Sequence, residues 1–233
     1  MRGLGRPAFI ALTLLLAGAV QAAPTAQDIA QNLSQQLAVY DEASVKAALN
    51  GCALVLTEVE VWSEGEGEDS YWDRSETETH FYLADFQTDP AHVEEIFSGE
   101  YAPETGAPLV SVVYRTTPEA QALMSRSMTL FAEAQEVENV SLLRIIWELL
   151  FHDELSQATN QRDLAAQAKE GQFGPFAQRN FSTNAATNSD GVAESFMFFP
   201  AFGMDFTLIG AKAERAGLIA DIHNYRLATC PKG

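Results

Sequence analysis

Apolar residues recur along the chain with two periods, and the switches between them predict the elements. Thr25 opens a helical pattern with Asp28 three residues on, a variant of the capping box, and Ile29, Leu33 and Leu37 keep one face apolar. A second short helix is predicted next, with Asp41 as its cap and Val45, Ala48 and Leu49 inward. Asn50-Gly51 ends it, since both residues tolerate the left-handed conformation. Over residues 52–62 the period becomes two. Val55, Thr57, Val59 and Val61 alternate with Leu54, Leu56, Glu58 and Glu60, which predicts a strand. An acidic, Gly-rich loop over 63–73 leads to a second strand over 74–87, and the two strands should pair as an antiparallel hairpin.

Asp89-Pro90 reads as a capping residue followed by proline at the first helical position, so a short helix is predicted to about Phe97. A third strand is predicted over 109–115. Thr117-Pro118-Glu119 repeats the cap-then-proline signal and opens a long helix to about Glu138, and another runs over 140–169. Residues 142–151 are apolar on most sides and are assigned to the centre of the core. Residues 171–191, rich in Gly, Asn, Ser and Thr, form the longest irregular stretch, and loops of that length are often functional or disordered. Strands over 192–199 and 204–209 flank Pro200-Ala201-Phe202-Gly203, and a last helix covers 211–227. The order is neither strictly alternating nor all-strand. It predicts an α+β domain over 23–233: an antiparallel sheet of about five strands packed against several helices, including a long central helical pair.

The N-terminus follows another pattern. Arg2 and Arg6 precede an uncharged stretch from Ala8 to Val20, and Val20-Gln21-Ala22 fits a small-x-small cleavage site. This is the layout of a secretory signal over residues 1–22. Its apolar stretch of about 13 residues is too short for a bilayer core that needs about 20. A periplasmic or secreted location follows as the expectation, with no membrane insertion after cleavage.

The chain carries 32 acidic and 14 basic residues, a formal charge of −18. Loss of Arg2 and Arg6 makes the exported chain more negative still. Such a surface repels nucleic acid and anionic lipid, so neither is expected as a partner, whereas a cationic partner or a divalent ion fits better. Plain solubility accounts for the same charge. Cys52 and Cys230 are the two cysteines. In an oxidising compartment their default is a disulfide closing almost the whole exported domain.

The usual chemical signatures are absent. There is no GxSxG, SxxK, HExxH, Walker or CxxC motif, and His80, His92, His152 and His223 stand far apart in sequence. No cofactor is expected. Four features carry sharper readings, each beside a plainer one. Glu64, Glu66, Glu68, Asp69 and Asp73 could converge on calcium, or form a solvated hairpin tip. Trp62, Tyr71 and Trp72 flank that turn and could stack on a sugar, or pair across the hairpin. Glu148 and His152 share a helix face and could ligate a metal or act as acid and base; a surface row with Arg144 is the plainer account.

The fourth feature is aromatic. Eight of the 14 phenylalanines lie between positions 173 and 206. Phe196 and Phe198 point one way from their strand, while Met197 and Phe199 point the other. Both faces are apolar, and each must be covered. Core packing meets that need. A face left uncovered would become a pocket for a lipid-like or aromatic ligand, lined by Phe173, Phe176, Phe196, Phe198 and Phe202, with 171–191 as a lid. The leading expectation is therefore an exported, non-catalytic protein that binds an apolar small molecule or an envelope protein. The alternatives are a hydrolase assembled around Glu148 and His152, or a carbohydrate-binding protein.

Overall fold

The computed structural model describes residues 23–38, 43–61, 74–103, 105–134, 161–187 and 194–231. Among the described residues, antiparallel strands form two sheets and five α-helices pack against them. The fold is α+β.

Helix α1 (Ala26–Gln36) begins as its sequence implies. The Asp28 amide donates to Thr25 Oγ1 at 3.2 Å, and the Thr25 amide donates back to Asp28 Oδ2 at 2.8 Å. Strands β1 (Ala43–Asn50), β2 (Ala53–Val61) and β3 (Arg74–Tyr82) follow as an antiparallel meander. The expected helix around Val45, Ala48 and Leu49 is therefore β1. Val45, Ala47 and Leu49 face inward, and Ala48 is exposed. Eight residues satisfy either period, and Asn50-Gly51 is a hairpin signal as well as a helix stop. Gly51 has φ 57° in the tight turn to β2, a conformation only glycine takes freely. Pairing with β2 decides the outcome.

Strand β3 stops at Tyr82, five residues before its expected end, because Leu83–Asp85 turns into a single 3₁₀ helix. At Asp89-Pro90 the cap does form, with the Ala91 amide donating to Asp89 Oδ1 at 2.9 Å. The expected helix to Phe97 shrinks to one 3₁₀ turn, Pro90–His92, and β4 (Glu94–Tyr101) replaces the rest. Adjacent Ile96 and Phe97 favour an extended chain, Ser98-Gly99 disfavours a helix, and β5 (Pro108–Tyr114) offers the ladder. Strand β4 is exposed throughout, with Ile96, Phe97 and Tyr101 open to solvent. Glu94 and Glu95 tie it down through Arg115 and Arg215.

Helix α2 (Pro118–Ala134) keeps its predicted start. Helix α3 (Gln161–Lys169) occupies the end of the stretch predicted as a helix over 140–169, whose earlier residues lie outside the described ones. The segment read as irregular over 171–191 holds helix α4 (Gly174–Arg179) and strand β6 (Phe181–Thr187). Residues 181–187 are part of the sheet rather than a lid over it. Strands β7 (Glu194–Pro200) and β8 (Met204–Leu208) and helix α5 (Lys212–Thr229) complete the fold. The large sheet runs β1-β2-β3-β6-β7 and the small one β4-β5-β8.

One core joins the two sheets. It packs Ile29 and Leu33 of α1 and Leu218 and Ile222 of α5 against Leu54, Phe81, Val112 and Phe206. A second cluster covers the opposite face of the large sheet, where Phe131, Leu164 and Phe173 meet Phe181 and Phe198. Cys52 and Cys230 are bonded, with Cα atoms 4.7 Å apart. The bond joins the β1–β2 turn to the residue that follows α5. Among the described residues, no helix is long and apolar enough to cross a membrane.

Candidate functional site

The side-chain alternation of β7 sets the site. Phe198 points into the second cluster and is 1% exposed. Met197 and Phe199 point to the other face, which α2, α3 and α4 do not cover. In register, Met197 stands beside Asn184 and then Thr77, and Phe199 beside Ser182 and then Thr79. These rows floor a groove of about 610 Å³ on β3, β6 and β7. Phe81, Phe202 and Asp205 close one end, where the chain leaves the large sheet for β8.

The floor is polar and internally bonded. Thr79 Oγ1 and Ser182 Oγ are 2.9 Å apart, and Asn184 Nδ2 donates to Thr77 Oγ1 at 2.8 Å. The walls are apolar. Among the described residues, no lysine, arginine or histidine lines the groove, and its one lining carboxylate, Asp205, sits exposed at the rim. Gln161, at the start of α3, also borders the groove. Its Oε1 accepts from the Phe198 amide at 3.1 Å, which caps the free edge of β7.

The residues singled out from sequence fall in different places. Phe202 lines the groove, whereas Phe198 borders it with its ring turned away into the second cluster. Phe173 and Phe176 are buried in the two clusters, and Phe196 lies under the Arg162 guanidinium, 4.8 Å from the ring centre. Glu148, His152, Trp62, Tyr71, Trp72 and the acidic turn lie outside the described residues, as do residues 142–151. The groove residues that sequence patterning missed are Thr77, Thr79, Ser182 and Asn184. Their alternation along β3 and β6 was the available signal.

Other polar groups serve the fold. The carboxyl of Asp85 accepts from Arg179 Nη2 at 2.9 Å and from Asn180 Nδ2 at 2.7 Å. Burial nevertheless pushes its pKa up, against the pull of those two partners. Asn180 Oδ1 accepts from the Tyr82 amide at 2.7 Å, so this asparagine continues the β3–β6 ladder past its end. Arg226 Nε donates to the Leu83 carbonyl at 3.0 Å. His223 Nδ1 meets Thr88 Oγ1 at 3.0 Å, but Thr88 is buried and no substrate could reach its hydroxyl. His80 stacks on Phe181 at 4.3 Å beside Glu78. Among the described residues, no three His, Cys, Asp or Glu side chains converge as a metal site.

The chain matches no protein-family model, no curated protein and no solved structure.

Proposed function

We propose that this chain is an exported, non-catalytic binding protein, and that the groove on β3, β6 and β7 takes an uncharged, mostly apolar small molecule. The carrying observation is the groove itself. Its volume, about 610 Å³, lies within the usual range for small-molecule sites. Apolar walls supply the drive for binding, and the hydroxyl and amide row on one side supplies orientation. The charge pattern narrows the ligand class. With no cation among the described lining residues to pair a carboxylate or phosphate, and Asp205 at the rim, a fatty acid or phospholipid head is disfavoured. A neutral molecule with hydrogen-bonding groups along one edge fits best. Export, to the periplasm or beyond, is supported by the N-terminal signal pattern and the disulfide.

The test uses the exported protein purified from its own host. Native mass spectrometry looks for a retained molecule, and an uncharged naphthylamine dye reports the groove by fluorescence. A retained neutral mass supports the reading. So does dye uptake that Phe199→Asp abolishes and a long-chain alcohol displaces better than the matching fatty acid. A bare polypeptide mass together with dye uptake equal in wild type and Phe199→Asp overturns it.

A further inference from the structure

One end of the groove on β3, β6 and β7 differs in chemistry from the rest. Elsewhere its polar side chains are hydroxyls and amides, those of Thr77, Thr79, Ser182, Asn184 and Gln161. Each of these can donate a hydrogen bond or accept one, so none of them tells a ligand hydroxyl from an ether oxygen. Asp205 stands at the end closed by Phe81 and Phe202. A carboxylate only accepts. Among the described residues, Asp205 is the one lining side chain that selects for a donor.

The local fold sets its placement. Alternation along β8 turns Met204 and Phe206 into the core and leaves Asp205 on the exposed face. The side chain leans back along the loop that links the two sheets, since a Cβ built on Gly203 would stand 4.0 Å from Asp205 Oδ1. Gly203 lines the groove as well. Across the small sheet, Asp205 stands beside Val113 and then Glu94. Arg115, just past β5, is paired with Glu94. Among the described residues, Asp205 has no hydrogen-bond or ion-pair partner. Its oxygens are open to a guest at one end of an apolar wall.

We propose that Asp205 sets both the orientation and the class of the groove's ligand. The molecule lies with a hydroxyl at Asp205 and its carbon chain running along Phe199 toward Met197. This rests on the groove reading above and narrows it, from a neutral ligand to one that ends in a hydrogen-bond donor. An ether of the same shape sets lone pairs against the carboxylate and leaves it unpaired, and a fatty acid adds a like charge. Water competes at the exposed rim, so the preference for alcohol over ether is modest, about threefold to tenfold.

The test is displacement of the uncharged naphthylamine dye from the exported protein by three chains of equal length, an alcohol, a methyl ether and a fatty acid. Wild type should release its dye to the alcohol at a concentration about threefold to tenfold below that of the ether. Asp205→Asn keeps the shape but presents an amide that serves both, so alcohol and ether should become equal while dye uptake is retained. Asp205→Lys should place the fatty acid ahead of the alcohol. Alcohol and ether that displace equally from wild type overturn the proposal. So does a preference that survives in Asp205→Asn, or a change in dye uptake or melting temperature with the ratios unmoved, which marks a structural role. Each of these leaves the groove reading standing, because that reading fails on a different result, dye uptake equal in wild type and Phe199→Asp.

Discussion

Replacing Cys52 and Cys230 with alanine tests how the two ends of the fold are held. The bond closes a loop of 178 residues. Chain entropy assigns a crosslink of that span about 5 kcal/mol, mostly by restricting the unfolded chain. A domain is typically stable by about 5–15 kcal/mol, so the loss removes a large share. The folded state also changes. Both cysteines pack on the core that joins the sheets, and Cys52 sits in the turn of an outer hairpin whose first strand, β1, has a single neighbour among the described strands. Without the bond, β1 and the last turn of α5 should fray first. For a urea slope near the upper end of about 1–3 kcal/mol per M, the unfolding midpoint should fall by about 2 M. Far-ultraviolet circular dichroism of oxidised wild type and of the double alanine variant measures it. A fall worth less than about 1 kcal/mol would refute the reasoning. It would mean that the unfolded chain already keeps its ends together, or that the α1–α5 packing holds the C-terminus unaided.

Acidification from neutrality toward about pH 4, the ordinary carboxylate range, should stabilise the fold. Burial holds the carboxyls of Asp85, Glu58 and Asp221 above their ordinary values. The native state therefore binds their protons more tightly, and this stability, full below about pH 4, is lost as pH rises through the folded values. Asp28, lowered by its bonds to Thr25, runs the other way from an exposed position. A melting temperature that stays flat or falls all the way to about pH 4 contradicts the assignment. Asn180→Ala should cost about 3 kcal/mol in urea unfolding, because it strands the Tyr82 amide and one Asp85 oxygen in a buried site. A cost below about 1 kcal/mol would show that water replaces the side chain.

Much of the fold was legible because local signals and tertiary packing agree. The Thr25–Asp28 box, the Thr117-Pro118 start of α2 and the alternation over residues 53–61 each ended where their chemistry placed them. The failures share a cause. Over 43–50 an apolar pattern fitted both periods, and over 94–101 a sound helix cap was overridden one turn later by a strand partner. Neither partner strand can be read from the local segment, because β pairing is a long-range choice. The disulfide was legible for the opposite reason, since two cysteines in a chain expected to be exported leave little choice.

The groove was half legible, and the missing half carries its specificity. Apolar residues on both sides of β7 required a cover for each face, and the structure gives one face to the helices and leaves Met197 and Phe199 on the other. The floor lies on β6, whose sequence, Phe-Ser-Thr-Asn-Ala-Ala-Thr, looks like a loop. Small polar residues in a central strand weaken packing relative to valine or isoleucine, so a sheet built only for stability would not place Ser182 and Asn184 there. Their hydroxyl and amide are spent on Thr79 and Thr77, which fixes the row; Ser182 is itself buried, and the half-buried Thr77, Thr79 and Asn184 keep acceptor lone pairs for a guest. A segment that violates strand composition yet sits between two long neighbours marks where the fold has given up core for a surface, and the proposed binding site lies on that surface.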